Sequence, residues 1–204
     1  MLVALGIFGQ LVGMFRLLLG VLLAGASSLQ AVAEIPAWVT ELEQATPTEA
    51  KKLSVPKADA ALRTKWAKWV KDYAALPVDQ IRANPAAAVF PGEVKPGATP
   101  MKDFRFAVDL NLPRWQFTGL YAAAGEKVVV TLPAEAVEKG LSIRIGCHTD
   151  NITPREKWSR FPSISRSAPL KAVTTEIANP FGGLIYIEVP RDKGRGGVNG
   201  KTYG

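Results

Sequence analysis

The sequence predicts a mainly β protein: an antiparallel β-sandwich over residues 101–190, preceded by a short α-helical region at 34–83 and an N-terminal signal or anchor segment at 1–33. Three observations carry this reading. From Met101 onward the apolar residues recur every second position, the period of a half-buried strand. Short runs of this kind are separated by Gly and Pro turns, with no long helix between them, as in an antiparallel sandwich. Before that region the period is instead that of a helix.

Taken in order, residues 1–33 hold a single charge, Arg16, followed by the apolar run 17–26 and Ala31-Val32-Ala33. A basic residue, an apolar core and small residues at −3 and −1 form the pattern of an export signal, with Met14 as its start. An uncleaved anchor is the alternative, and either one exports the rest of the chain. In 34–83, Thr46-Pro47-Thr48-Glu49 has the form of a capping box with Pro at the first helical position. After Pro56, the residues Leu62, Trp66, Trp69, Tyr73 and Leu76 fall at spacings of four, three, four and three. They make one apolar stripe, expected to pack on the next domain. Residues 84–100 carry four Pro and two Gly and read as a linker. The strands expected beyond it lie around Phe104–Leu110, Val128–Leu132, Leu141–Cys147, Leu170–Ile177 and Leu184–Val189. The last two are joined by the turn Asn179-Pro180-Phe181-Gly182-Gly183. Residues 191–204 are a Gly-rich basic tail, read as the truncated end of a longer protein.

Composition excludes several chemistries. The 204 residues contain one His and one Cys. A zinc site built from two His or from Cys pairs is therefore excluded, as is an intramolecular disulfide. The 25 Lys and Arg against 18 Asp and Glu are scattered, which argues against a nucleic-acid footprint. The run 194–202 mimics a phosphate loop but has the wrong spacing between its glycines and Gly200-Lys201-Thr202. Cys147 and His148 are neighbours, yet on a strand they point to opposite faces, which disfavours a catalytic dyad. Cys147 is expected to be buried, with His148 and Asp150 organising a loop or touching a ligand at the sheet edge. Trp115, Trp158, Arg160 and Phe161 either form a stacking surface for sugars or place one or both Trp in the core. The candidate ligand contacts are thus Trp115, His148, Asp150, Trp158 and Arg160.

Five segments then follow one another: Trp115-x-x-Thr118-Gly119-Leu120-Tyr121, Ala124-Gly125-Glu126, Ile145-Gly146-Cys147-His148-Thr149-Asp150, Arg160-Phe161-Pro162 and Gly182-Gly183-Leu184-Ile185-Tyr186-Ile187. In order and approximate spacing they resemble the N-terminal β-rich portion of the peptidase M60, or enhancin-like, family. The resemblance implies an exported zinc metallopeptidase acting on glycoproteins, mucins among them. In that family a separate part carries H-E-x-x-H, whose two His hold the metal while the Glu activates water. Here His148 is followed by Thr149, so no catalytic or zinc residue can be carried over. Zinc is expected only in a full-length family member, and this chain alone is expected to be inactive. The implied role is that of the non-catalytic N-terminal part, with glycoprotein or glycan and the missing catalytic domain as partners. Contact with a membrane would run only through the N-terminal segment. The alternatives are a free-standing cell-surface module that binds glycan or glycoprotein, and a degenerate remnant.

Overall fold

The computed structural model describes residues 3–7 and 34–191. Among them are two α-helices, α1 (Ala37–Ala45) and α2 (Ala60–Ala74), and ten strands. The strands are β1 (Val3–Ile7), β2 (Leu53–Ser54), β3 (Phe104–Phe106), β4 (Arg114–Ala122), β5 (Lys127–Thr131), β6 (Ser142–Ile145), β7 (Lys157–Trp158), β8 (Arg166–Pro169), β9 (Thr174–Ala178) and β10 (Gly183–Val189). Two four-stranded sheets, ordered β3-β1-β5-β9 and β4-β10-β6-β8, form the sandwich, and β2 pairs with β7 separately. All pairings are antiparallel except those of β1, which runs parallel to β3 and β5. Of the segment read as a leader, only Val3–Ile7 is described; Arg16 and the apolar run 17–26 lie outside the described residues, as does the tail from 192 onward.

Alternation explains the sandwich core. Val128 and Val130 of β5 and Ile177 of β9 face Ile143 and Ile145 of β6 and Ile185, Ile187 and Val189 of β10. In strands successive side chains point to opposite faces, so these residues leave their neighbours on the outside. The expected strand from Phe104 stops at Phe106, and Leu110 and Leu112 are exposed. Asp109 interrupts it: its carboxylate accepts from the Asn111 amide at 2.9 Å and its carbonyl accepts from Leu112 N at 3.2 Å, a local turn competing with the ladder.

A second core lies under the helices. Asp59 caps α2, its Oδ1 accepting from Leu62 N at 2.9 Å. The stripe buries Trp66, Tyr73 and Leu76, together with Val70, while Leu62 and Trp69 stay half-exposed. Two helices in a 50-residue stretch cannot enclose a core by themselves, and the β region completes it. Ile152, Trp158, Phe161, Ile164 and Phe181 all enter this cluster. The stripe therefore packs on the β region, but through loops and β7 rather than through a sheet face.

The capping box at Thr46–Glu49 opens no helix. Thr46 instead follows the end of α1, and its hydroxyl donates to Leu42 O at 2.9 Å. Thr48 and Lys51 close a turn through reciprocal backbone bonds of 3.1 Å. The linker is not free either: Asn84 is buried, and its Nδ2 donates to Thr46 Oγ1 at 3.1 Å and to Tyr73 Oη at 3.3 Å. Beside it, the Glu43 carboxylate accepts from Tyr73 Oη at 3.0 Å and from Arg82 Nε at 2.7 Å. Burial pushes the Tyr73 phenol well above its ordinary range, and the Glu43 carboxylate raises the Arg82 guanidinium. The network fixes α1, α2 and the 82–88 segment against one another.

Candidate functional site

The feature that distinguishes the surface is the outer face of the β4-β10-β6-β8 sheet. One face of an antiparallel sheet is commonly solvated and polar. Here β4 turns Trp115, Phe117 and Tyr121 outward, at 38%, 48% and 40% exposure. Register builds the site. Phe117 lies opposite Tyr186, Tyr186 opposite Arg144, and Arg144 opposite Ser167, forming a row across four strands. Tyr186 meets both Trp115 and Phe117 with ring centroids 5.4 Å apart. The Arg144 guanidinium sits 4.3 Å from the centroid of Trp115, a cation–π contact. Burial raises the Tyr121 and Tyr186 phenols above their usual value, with the nearby Cys147 adding to the effect.

Arg144 joins this face to the 146–150 loop. Its Nε donates to Gly146 O at 2.9 Å and its Nη2 to His148 O at 2.7 Å, while Glu188 Oε1 lies 3.8 Å from Nη1. β6 ends at Ile145 because Gly146, at φ +101°, takes a conformation that other residues rarely adopt. Its position is forced from two sides. A Cβ on Gly146 would lie 2.5 Å from Ser165 Oγ, and one on Gly183 would lie 2.8 Å from Gly146 Cα. The loop is therefore anchored at its root by two backbones in close approach.

The residues expected to contact a ligand are dispersed in part. His148 Nδ1 stands 4.0 Å from Asp150 Oδ1, and Asp150 is ion-paired to Arg160 Nη2. Arg160 also donates to Phe161 O at 2.8 Å and Pro162 O at 3.2 Å, so this trio clamps the loop to the 160–162 segment. Phe90 packs edge-on against His148, centroids 5.1 Å apart. Trp115 is on the outer face. Trp158 is not a surface residue: it is 1% exposed, edge-on to Trp66 at 5.5 Å, and its Nε1 donates to Arg155 O at 2.9 Å. Phe161 is likewise buried, stacked on Phe181 at 5.3 Å. Cys147 is exposed, contrary to the expectation of a core thiol, because the strand that would have turned it inward ends two residues earlier. Phe117, Tyr186 and Arg144 are the site residues that the sequence reading did not single out. For Arg144 and Tyr186 the signal is alternation with buried partners, Arg144 lying between Ile143 and Ile145 and Tyr186 between Ile185 and Ile187; Phe117 carries no such signal.

The donor set does not fit zinc. Among the described residues no three His, Cys, Asp or Glu side chains converge. The one imidazole of the sequence has a carboxylate neighbour already engaged by Arg160, whereas zinc takes four protein ligands, or three with the fourth position left open. Among the described residues, no helix is long and apolar enough to cross a membrane.

The described residues thus form a β-sandwich with an aromatic outer face and a loop clamped at its edge. Residues 98–199, half of the chain, match the N-terminal domain of M60-like peptidases. The chain belongs to that family and holds a non-catalytic part of M60-like proteins. It is similar to TRPM8 channel-associated factor 2 of Homo sapiens, at 36% identity over 84 residues, 41% of this chain and 9% of the relative. TRPM8 channel-associated factor 3 of Mus musculus is 35% identical over 113 residues, 55% of this chain and 12% of the relative. A Xenopus laevis homolog of these factors is 33% identical over 89 residues, 44% of this chain and 10% of the relative. The matched part of the chain thus spans about a tenth of the length of these relatives. No solved structure matches.

Proposed function

We propose that this module is the substrate-positioning part of an exported M60-like metallopeptidase acting on glycoproteins such as mucins, its outer aromatic face holding the glycan while a catalytic part elsewhere carries the zinc. The observation that supports the reading is the exposure of Trp115, Phe117 and Tyr121 beside Tyr186 and Arg144 on one sheet face. Aromatic rings present an apolar face with polar edges nearby, which suits the C–H face and hydroxyl rim of a sugar. The face is also held rigid by register and by Arg144, so little ordering is required on binding.

The test is retention of a mucin-type glycoprotein by the immobilised chain. Wild type is expected to retain it, and the Trp115→Ala, Tyr186→Ala double variant to lose at least tenfold in retention with its far-UV spectrum unchanged. Equal retention by the variant would remove the face from the proposal. A second reading is favoured by the relatives' much greater length: the same face docks another protein surface, as in association with a channel, the property for which the relatives are named. Enzymatic deglycosylation of the bait separates the two, since a protein contact survives it and a glycan contact does not.

A further inference from the structure

The geometry points to an acidic-sugar subsite at the end of this face, built from Arg114, Trp115, Glu188 and Arg191; the inference rests on the glycan-binding reading and names its ligand class. Where Arg114 of β4 pairs with Val189 of β10, the strand ends and Thr149 border an open cleft of about 630 Å³. It is lined by Arg114, Trp115, Thr149, Glu188, Val189 and Arg191. Its volume lies within the ordinary range of small-ligand sites.

Three features select the ligand. First, among the described residues neither Arg114 nor Arg191 has a carboxylate partner, whereas Glu188 is held by Arg144 at 3.8 Å. Two guanidinium groups and one carboxylate therefore line the cleft, leaving it net positive, and guanidinium forks match a carboxylate or sulfate. Second, Trp115 lines the same cleft and supplies a stacking surface, with Thr149 and Glu188 able to hydrogen-bond sugar hydroxyls. Third, Arg114 has φ +84°, in the left-handed region that non-glycine residues seldom occupy. Residues held so persist where the surroundings over-determine them, and they cluster at ligand sites. An aromatic platform flanked by two free arginines fits a sugar bearing a carboxylate or a sulfate better than a neutral one.

The probes are lactose, sialyllactose and sulfated lactose, titrated into the chain at low salt. Both acidic sugars are expected to bind at least tenfold more tightly than lactose, with the gap narrowing as NaCl is raised. In Arg114→Gln, Arg191→Gln the acidic sugars should fall to the lactose level, while lactose affinity changes less than threefold. Arg114→Gly accepts the left-handed conformation without strain and should raise the melting temperature while weakening only the acidic sugars. Preference for one acid over the other identifies carboxylate or sulfate as the natural group. An undiminished preference in the double arginine variant overturns the subsite. If all three sugars bind wild type equally, the acidic inference fails while the glycan reading stands; if none binds, the glycan reading fails and the subsite with it.

Discussion

Trp158→Ala is expected to lower the stability of the chain by about 3–5 kcal/mol, whereas Trp115→Ala should cost about 1 kcal/mol or less. The two side chains are chemically identical and occupy opposite situations. Trp158 is enclosed by the helical core, edge-on to Trp66, with its indole N–H satisfied by Arg155 O. Truncating it removes a large apolar area and leaves a cavity that α2 and β7 cannot close, since β7 is held to β2 by the Leu53–Trp158 register. Trp115 stands on the sheet surface and loses only its contacts to Arg144 and Tyr186. Urea unfolding followed by far-UV circular dichroism measures both. An unchanged midpoint for Trp158→Ala would contradict the placement of this residue in the core.

Asn179→Ala is expected to have an effect of similar size, about 3–5 kcal/mol. Asn179 is 2% exposed, in the turn between β9 and β10. Its Nδ2 donates to Ile164 O and Gly182 O at 2.9 Å and to Ile145 O at 3.2 Å, and its Oδ1 accepts from Phe181 N at 3.2 Å. Its own carbonyl accepts from Gly125 N at 2.8 Å. One side chain thus ties the end of β6, the 160–165 segment and the turn together, at the seam between the two cores. Alanine leaves those carbonyls and an amide buried without a partner, and each such group costs about 1–3 kcal/mol before relaxation. Asn179→Asp fills the same space but sets acceptor oxygens against carbonyls, so at pH 7 it should be no better than alanine. Thermal unfolding of the pair, with wild-type stability in Asn179→Asp as the contrary result, tests whether donation rather than shape is what the turn requires.

The same seam explains what the sequence made legible. All five segments that resemble the M60 family converge on it. Thr118 Oγ1 donates to the buried Ile185 O at 2.8 Å, where the β4–β10 register shifts. Gly125 N reaches Asn179 O, Gly146 abuts Gly183, Arg160 pairs with Asp150, and Phe161 stacks on Phe181. Close backbone approaches and buried hydrogen bonds demand particular residue types, and such demands can be read as a motif. The inward alternation of Ile143, Ile145, Ile185 and Ile187 was equally readable, because hydrophobic burial imposes its period on the chain.

Other parts escaped for equally physical reasons. β4 is the longest of the described strands, yet it carries its large aromatics outward and Gln116, Thr118 and Ala122 inward, the reverse of the pattern that marks a strand. Of the strand expected at 170–177 only the second half forms, as β9 from Thr174; residues 170–173 connect it to β8, which ends at Pro169. The seating of Trp158 and Phe161 under α2 depends on contacts about 90 residues apart in the chain, which no local periodicity records. The clustering of His148, Asp150 and Arg160 is half legible: the first two, two residues apart, are expected to organise one loop, while the arginine ten residues on joins them only through the fold.

In the proposed function the outer sheet face, and not the helical stripe, meets the glycan. Amide hydrogen exchange on the intact chain, with and without a mucin-type glycopeptide, tests it most directly. Protection is expected in 114–121, in 146–150 and in 184–191, with exchange in 60–76 unchanged. Protection confined to 60–76, or none at saturating glycopeptide, would contradict the account.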